Sequence, residues 1–389
     1  MQVAERMSRL GTETAFEVLV KARALEAQGR DVVHLEIGEP DFDTPPHVIA
    51  AGKQALDDGY THYGPSAGLP ELREAIAADV ARSRGIDARM SQVVVTPGAK
   101  PIMFFVIMTL AQAGDEVIYP DPGFPIYESA IRFVGATPVP VPLREERGFS
   151  LDVEELKSLV SPRTRLIILN SPHNPTGGTL PEADLRAIAD VALQHGIPVL
   201  SDEIYSQMLY DGTFHSITAY DGMADLAIIL DGFSKTYAMT GWRLGYGVMP
   251  EPLADHVTRL MTNCNSCTAS FTQRAGLAAL QGPQDAVAEM MSEFRRRRDL
   301  FVAGLNDIDG IRCPVPGGAF YAFPNITGLG RSSKEVADYL LEEGGVAALA
   351  GDDFGASGAG YVRFSYANSL DNLEKALARI AECAARLQG

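Results

Sequence analysis

The sequence predicts an α/β fold built from two units, and three observations carry this prediction. The chain has 389 residues, which is enough for two or three domains. Its composition, 46% hydrophobic and 21% charged, is that of soluble globular proteins. Between about residues 93 and 250, short β-branched runs alternate with longer helical patterns. This alternation is typical of a mostly parallel sheet that is flanked by helices.

Seven segments fit the strands of this sheet, and several are continuous apolar runs, as in strands buried on both faces. They lie at residues 93–96, 116–119, 137–141, 165–170, 198–202, 227–231 and 243–248. Amphipathic segments between them predict helices, most clearly at 181–195, where Pro181 suits a first helical turn and Gly196 suits the C-terminal stop. We expect the large domain to span residues 45–285.

A smaller α/β domain is expected to combine residues 1–44 with residues 286–389, so that both chain ends contribute to it. In this part of the chain, the patterns predict helices at 332–343 and 370–387 and strands at 345–349 and 361–365. The basic run at 295–298 (RRRR) lies in a helical pattern, and we expect it to be a solvated helix face.

Charge and cysteine content argue against several classes of protein. A formal net charge of -17 repels phosphate backbones and anionic lipid surfaces, so neither nucleic acid nor a membrane is an expected partner. Four cysteines and the lack of a signal-like apolar stretch in residues 1–11 predict a cytoplasmic protein. Cys264 and Cys267 form a C-x-x-C without a second pair at zinc spacing, which predicts buried thiols and no metal site.

Loops of chemical interest follow the predicted strands, at the edge where an open parallel sheet binds its ligands. The strand at 93–96 leads into Gly98, Ala99 and Lys100, where the free amides of a helix start could bind a phosphate. An ordinary αβ turn explains these residues at least as well. This loop alone therefore predicts no particular function.

The strands at 165–170 and 198–202 end in polar residues. Asn174 could donate a hydrogen bond to an anionic oxygen, although a turn-forming Asx residue before proline is the simpler interpretation. Asp202 stands at a strand end that faces a dry crevice, and a buried carboxylate there needs a cationic partner. A structural pair with an arginine would satisfy the same need.

A lysine follows the strand at 227–231. Burial would lower the pKa of Lys235 and make its amine a nucleophile toward carbonyl groups, which is the chemistry of Schiff-base enzymes. The hydroxyl of Ser234 and the guanidinium of Arg243 suit a phosphate. Together the loops offer a phosphate cradle, a donor for a phenolate-like oxygen, an acid for a cationic ring nitrogen and a nucleophilic lysine. Pyridoxal phosphate needs these four partners.

These motifs resemble those of the class I/II aminotransferases of fold type I, in the branch that contains bacterial aspartate aminotransferases. The resemblance runs from residues 35–42 (LEIGEPDF) to residues 362–367 (VRFSYA). It implies a pyridoxal 5'-phosphate-dependent enzyme that moves the amino group of an L-amino acid, aspartate or a similar one, to a 2-oxo acid such as 2-oxoglutarate by a ping-pong mechanism. It also implies a homodimer with shared active sites.

The resemblance also implies a role for each site residue. The implied catalytic residues are the Schiff-base lysine Lys235, the partner of the ring nitrogen Asp202, and Tyr205. The other implied cofactor-binding residues are Asn174 and Tyr205 at the phenolic oxygen, Phe124 on the ring, Gly98, Ala99, Lys100, Ser234 and Arg243 at the phosphate, and Tyr63 donated across the dimer interface. The implied substrate-binding residues are Arg363 and Gly38 at the α-carboxylate, with Asn174 and Lys100.

The amino donor stays open at the level of sequence. Lys100 could reach the distal carboxylate of aspartate or glutamate, as the matching lysine does in aspartate-type relatives, or it could point to solvent. Phe16 could line an apolar pocket instead, and residues 260–271 lack the carboxylate-binding arginine of one subfamily. The alternatives are an aminotransferase for aromatic or other neutral amino acids and a carbon–sulfur lyase of the same fold.

Overall fold

The computed structural model describes residues 1–388, which form three sheets packed among helices. The strands of this part of the chain are β1 (Val33–His34), β2 (Val93–Thr96), β3 (Glu116–Asp121), β4 (Thr137–Pro142), β5 (Thr164–Asn170), β6 (Val199–Asp202), β7 (Ala227–Gly232), β8 (Gly245–Val248), β9 (Tyr321–Ala322), β10 (Val346–Ala347), β11 (Leu349–Ala350) and β12 (Val362–Ser365).

The α-helices of the same residues lie between and around these strands. They are α1 (Thr14–Glu26), α2 (Pro46–Asp57), α3 (Pro70–Arg84), α4 (Lys100–Leu110), α5 (Ile126–Val134), α6 (Val153–Leu159), α7 (Glu182–His195), α8 (Glu251–Asn265), α9 (Ser270–Gln281), α10 (Asp285–Asn306), α11 (Ser333–Glu342) and α12 (Leu370–Gln388). Helix α7 ends as predicted at Gly196, whose φ is +64°, but Pro181 precedes its first turn instead of lying in it.

The predicted sheet is present, and its strand order is β2-β8-β7-β6-β5-β3-β4. Strand β8 runs antiparallel to β2 and β7, and the other pairs are parallel. Along β5, Leu166 and Ile168 pack into one core cluster, and Ile167 and Leu169 pack into another on the opposite face. Because both faces are covered, the strand is apolar from Leu166 to Leu169. The α/β prediction is confirmed.

Of the two smaller sheets, one joins segments from both ends of the chain, and the other is formed by C-terminal segments alone. Strand β1 pairs in parallel with β10, while β11, β12 and β9 form an antiparallel sheet. A further core cluster joins Val33 and Leu35 with Phe301 of α10, Phe364 of β12 and Ile380 of α12. These contacts support a unit made of both chain ends. The boundaries at 44/45 and 285/286 stay a prediction.

The expectation of a solvated basic face at residues 295–298 is wrong for two of the four arginines. The side chains of Arg297 and Arg298 are only 8% and 7% exposed. Arg297 Nη1 lies 2.6 Å from Asp41 Oδ1, and the Arg298 guanidinium lies 4.5 Å from the centre of the Tyr210 ring. Four consecutive residues point to all sides of a helix, so some of them face the protein.

The expectation of buried thiols is wrong for Cys264, which is exposed at the end of α8, while Cys267 is partly exposed in the following turn. Cys313 and Cys383 are buried. Within residues 1–388, no cluster of three or more His, Cys, Asp or Glu side chains could hold a metal ion. None of the helices described above is long and apolar enough to cross a bilayer.

A histidine on β1 carries a pH-dependent part of the stability. His34 Nδ1 lies 2.8 Å from Glu36 Oε1, and its Nε2 lies 3.2 Å from Glu26 Oε1. The Glu36 carboxylate is fully buried, whereas the His34 side chain is partly exposed. The hydrogen bond to Glu36, followed by the attraction of both carboxylates, raises the pKa of His34 above its ordinary value of 6.5. Protonated His34 therefore stabilises the folded state.

We expect the free energy of unfolding to fall between about pH 6 and pH 8 by up to about 1 kcal/mol more in the wild type than in His34→Gln. A raised folded-state pKa gives stability that is complete below the unfolded value and is lost as the pH rises through the folded value. Urea unfolding at both pH values measures this. His256→Gln, which changes an exposed histidine of α8, is the control. An unchanged pH dependence in His34→Gln would contradict the assignment.

Candidate active site

A cavity of about 560 Å³ opens at the carboxyl ends of the parallel strands. Asn170 of β5, Asp202 of β6 and Leu230 of β7 line it from the large sheet, and Arg363 of β12 lines it from the three-stranded sheet. It contains most of the predicted site residues, namely Gly38, Ala99, Lys100, Phe124, Asn174, Asp202, Tyr205, Ser234, Lys235, Arg243 and Arg363.

Lys235 places its ammonium in this cavity. Its Nζ donates a hydrogen bond to the Gly38 carbonyl and lies 5.9 Å from the ring centre of Tyr205 and 5.7 Å from that of Phe320. Loss of hydration lowers the pKa of Lys235 to about 8, although Glu39 partly opposes this shift. About a tenth of the amine is therefore unprotonated at pH 7, and this fraction can act as a nucleophile or base.

The protein partners of Asp202 are neutral, and among the described residues no arginine pairs with it, so the structural arginine pair that the sequence allowed is not formed. Tyr127 of α5 donates its hydroxyl hydrogen to Asp202 Oδ2 at 2.6 Å, and the Ile204 amide donates to Oδ1 at 3.3 Å. Burial raises the pKa of Asp202 to about 6, while both donors and the charge of Lys235 oppose that rise. The phenol keeps one oxygen paired without neutralising the carboxylate, so the charge of Asp202 stays available to a cation in the cavity.

Arg363 crosses from β12 toward the end of β5. Its Nη1 donates to Asn174 Oδ1 at 3.1 Å, its Nη2 donates to the Glu36 carbonyl, and its Nε is buried without a partner. The guanidinium lies 4.6 Å from the ring centre of Tyr321 and 4.9 Å from that of Phe354. Loss of hydration lowers the pKa of Arg363. A planar cation with an unpaired N–H group suits a carboxylate ligand.

Tyr205 lies deep in the cavity and shares a hydrogen bond with a second phenol. The Tyr205 and Tyr321 hydroxyl oxygens are 2.7 Å apart, and both side chains are buried. Gly38 packs against this pair, since a Cβ on Gly38 would lie 2.2 Å from the Tyr321 hydroxyl. The backbone of Gly38 therefore approaches the cavity more closely than a residue with a side chain could.

The opposite end of the cavity is lined by the start of α4 and by Ser234 and Arg243. Gly98 does not line the cavity itself but allows this packing: its φ is +87°, and a Cβ there would lie 2.1 Å from Arg243 Nη2. Arg243 has a φ of +54°, which is rare for a residue with a side chain, and its Nη1 donates to the Thr240 carbonyl at 2.7 Å. Free helix amides, a hydroxyl and a guanidinium make this end suitable for a phosphate.

Lys100 and Phe124 form one wall of the cavity. The Lys100 ammonium makes an ion pair with Glu13 and lies 5.4 Å from the centre of the Phe124 ring. The Lys100 side chain is 45% exposed and that of Glu13 is 20% exposed. Lys100 is therefore neither free in solvent nor unpaired in the cavity.

Tyr63 is the predicted site residue that lies apart from the others. It is 89% exposed and does not line the cavity of its own chain. The Gly64 amide beside it faces Cys267 Sγ at 3.5 Å, and the neighbouring His62 carbonyl accepts a hydrogen bond from Ser270. The segment around Tyr63 thus packs on the region where α9 begins.

Among the cavity residues that sequence reasoning missed are Glu13, Tyr127, Asn170 and Tyr321. Asn170 could have been found, because it ends a predicted strand at the ligand-binding edge. Its amide donates to the Asp202 carbonyl at 3.0 Å, and its Oδ1 accepts from the Asn174 amide at 2.9 Å. Tyr127 and Tyr321 carry no local signal, since a buried tyrosine within an apolar pattern is indistinguishable from core.

Comparison with known proteins identifies the family. The family "Aminotransferase class I and II" matches residues 30–380, nearly the whole chain. The chain belongs to the class I and II aminotransferases. It is therefore an enzyme that transfers amino groups, and the resemblance stated from its motifs is confirmed.

Individual relatives agree with this assignment over nearly their full length. The aminotransferase is 42% identical over 380 residues to the aspartate aminotransferase of Pyrococcus horikoshii, covering 97% of this chain and 96% of that one. It is 40% identical over 384 residues to aromatic-amino-acid aminotransferase 2 of Thermococcus litoralis, covering 98% and 97%. The crystal structure of the aspartate aminotransferase from Rhizobium meliloti has a TM-score of 0.95 with it at 38% identity, covering 99% of both chains.

The Tyr127–Asp202 hydrogen bond gives a testable prediction for the aminotransferase. Tyr127→Phe removes a donor that lowers the pKa of Asp202, so this pKa should rise above about 6. A protonated Asp202 carries no charge for a cation. The acidic limb of the pH profile of kcat/KM should therefore move to higher pH by about half a unit.

Tyr119→Phe is the matched control, because it removes a phenol hydroxyl from β3 at a position that does not line the cavity. Its acidic limb should coincide with that of the wild type. A Tyr127→Phe profile that also coincides would show that this hydrogen bond does not set the ionisation that limits the reaction.

Proposed function

We propose that this aminotransferase uses pyridoxal 5'-phosphate to move the amino group of aspartate, or of a similar L-amino acid, to a 2-oxo acid such as 2-oxoglutarate. One observation carries the proposal: a lysine with a lowered pKa shares a cavity with a buried carboxylate and a buried arginine. We further propose that the reaction is ping-pong and that the protein is cytoplasmic.

The residues of the cavity fit this cofactor. Asp202 would hold the protonated ring nitrogen, Asn174 and Tyr205 the phenolic oxygen, and Phe124 the ring face. The phosphate would lie between Ser234, Arg243 and the amides at the start of α4, where the glycine at position 98 makes room for Arg243. When bound, the cofactor supplies a carbonyl group for the incoming amine and a ring that withdraws electrons from the α-carbon.

Arg363 would bind the substrate, and Lys235 would transfer its proton. Arg363 lines the cavity, has a buried Nε without a partner and would bind the α-carboxylate, with Asn174 fixing its guanidinium through Nη1. The hydrogen bond between Lys235 Nζ and the Gly38 carbonyl holds the amine beside that carboxylate site. Once its amine is free, Lys235 would take the proton from the substrate α-carbon and later return it, acting as the general base and then the general acid of the site.

Aspartate is proposed as the donor because of Lys100 and because several similar proteins are named aspartate aminotransferases. The Lys100 ammonium lies at the cavity wall, where it could meet a distal carboxylate. A specific observation also favours aromatic donors as a second candidate. The same wall includes the rings of Phe124 and Phe16, and Glu13 already pairs with the lysine.

A homodimer is proposed because Tyr63 has no contact with the cavity of its own chain. An 89% exposed tyrosine in a segment packed on the start of α9 could complete the phosphate site of a second copy. The dimer interface would then cover Tyr63.

The experiment that tests the function supplies purified protein with pyridoxal 5'-phosphate, aspartate and 2-oxoglutarate and follows glutamate formation. Lys235→Ala should lower this rate by at least about 10³-fold, because both nucleophile and base are lost. Lys235→Arg keeps the positive charge but not the nucleophile and should be equally inactive. Lys53→Ala, which removes an exposed lysine from α2, should keep the wild-type rate.

Amino transfer by Lys235→Ala at a rate near that of the wild type would refute the role of Lys235. Replacing aspartate by phenylalanine and then by alanine in the same assay ranks the donors. A wild-type protein that turns over none of them would refute the proposed function itself.

The dimer is tested by sedimentation equilibrium at the enzyme concentration of the assay. We expect twice the 41.8 kDa mass of the chain. Tyr63→Phe should keep that mass but weaken cofactor binding, since only the hydroxyl group is removed from a shared site. A monomer with full activity would mean that Tyr63 serves no second active site.

A further inference from the structure

The ion pair between Glu13 and Lys100 stands in the wall of the substrate cavity. Lys100 is the first residue of α4, and Glu13 directly precedes the first residue of α1. Glu13 makes no capping hydrogen bond to its own helix, so Lys100 is the group that holds its carboxylate. The pair joins two elements that meet only through tertiary structure.

The charge of Glu13 reaches the reactive end of the cavity. Its field favours the protonated forms of Lys235 and Arg363. A second carboxylate placed near Lys100 would therefore meet both an attractive ammonium and a repulsive neighbour. The two carboxylates would compete for a single cation.

We propose that Glu13 is a specificity-determining residue that competes with the distal carboxylate of a dicarboxylic substrate for Lys100. This role rests on the proposed function, and it makes Glu13 a residue that decides which amino donor the enzyme prefers. An amino acid such as aspartate must displace Glu13 to reach Lys100. A neutral or aromatic amino acid leaves the pair intact and so avoids this cost.

The wall around the intact pair suits an apolar side chain. With Glu13 in place, the Lys100 ammonium lies 5.4 Å from the centre of the Phe124 ring, and Phe16 also lines the cavity. Paired charges present less field than a lone ammonium, so an aromatic donor would not have to strip water from an uncompensated cation. One pocket could thus accept both classes of donor, with Glu13 setting their ratio.

The test is Glu13→Gln, which keeps the size of the side chain and removes its charge. The donor half-reaction is followed by stopped-flow absorbance of the cofactor-loaded enzyme with the amino acid alone, so that no dicarboxylic acceptor is present. The ratio of aspartate to phenylalanine reactivity should rise about threefold to fivefold, the range of one partly exposed ion pair. Glu17→Gln removes the same charge from an exposed position on α1 outside the cavity and should leave the ratio unchanged.

The Lys100→Met background distinguishes two explanations. Glu13 could compete with the substrate carboxylate for Lys100, or it could repel that carboxylate directly. If Glu13 acts by occupying Lys100, adding Glu13→Gln to Lys100→Met should not change the ratio further. A ratio that is unchanged by Glu13→Gln in the wild-type background overturns the proposal. So does a rise of equal size in the Lys100→Met background.

A binding measurement keeps this test independent of the proposed reaction. Calorimetric titration with succinate and with 3-phenylpropionate compares a dicarboxylate and an aromatic monocarboxylate that cannot react. Glu13→Gln should tighten succinate relative to 3-phenylpropionate by the same threefold to fivefold, even if aspartate proves not to be the donor. Equal affinity changes for both acids would overturn the proposal, whereas loss of all turnover with this binding shift retained would refute only the proposed function.

Discussion

Burial at the carboxyl ends of the parallel strands is the constraint on which the site depends. Loss of hydration disfavours charge, so it raises the pKa of Asp202 to about 6 and lowers that of Lys235 to about 8. Burial in one cavity thus moves the pKa of an acid upward and the pKa of a base downward, both toward 7. Each group can change its protonation state near neutral pH at small cost, and neither would do so in water.

The same burial requires that the polar atoms around the cavity have hydrogen-bond or ion-pair partners within the protein. Tyr127 satisfies one oxygen of Asp202 without cancelling its charge. On the other side of β6 and β7, Arg84 of α3 is buried between Glu203 and Asp231, with its Nε 3.0 Å from Glu203 Oε2. These acids stand next to Asp202 and just before the segment that carries Lys235. The ends of the two strands are therefore tied to one helix.

The three-stranded sheet meets the large sheet at Arg363 of β12. Its guanidinium reaches from β12 to Asn174 at the end of the large sheet and to the Glu36 carbonyl after β1. Glu36 is fully buried, and its carboxylate is balanced by His34. A substrate carboxylate at Arg363 would thus bind where segments from both ends of the chain contact the large sheet. Any relative movement of these parts would change the position of Arg363 and so the binding of the substrate.

The sequence by itself determined the strands of the large sheet and many of the polar residues of the cavity. Apolar runs bounded by turn residues specified the seven strands, and Asp202 and Lys235 follow strands whose carboxyl ends must share one edge of a parallel sheet. Such inferences rest on short-range periodicity and on chain direction, which are local properties. The tertiary structure alone decided which groups pair: Tyr127 with Asp202, Tyr205 with Tyr321, Glu13 with Lys100, and Arg297 with Asp41. These partners are far apart in sequence, and only the packing of whole helices and sheets fixes their distances and burial.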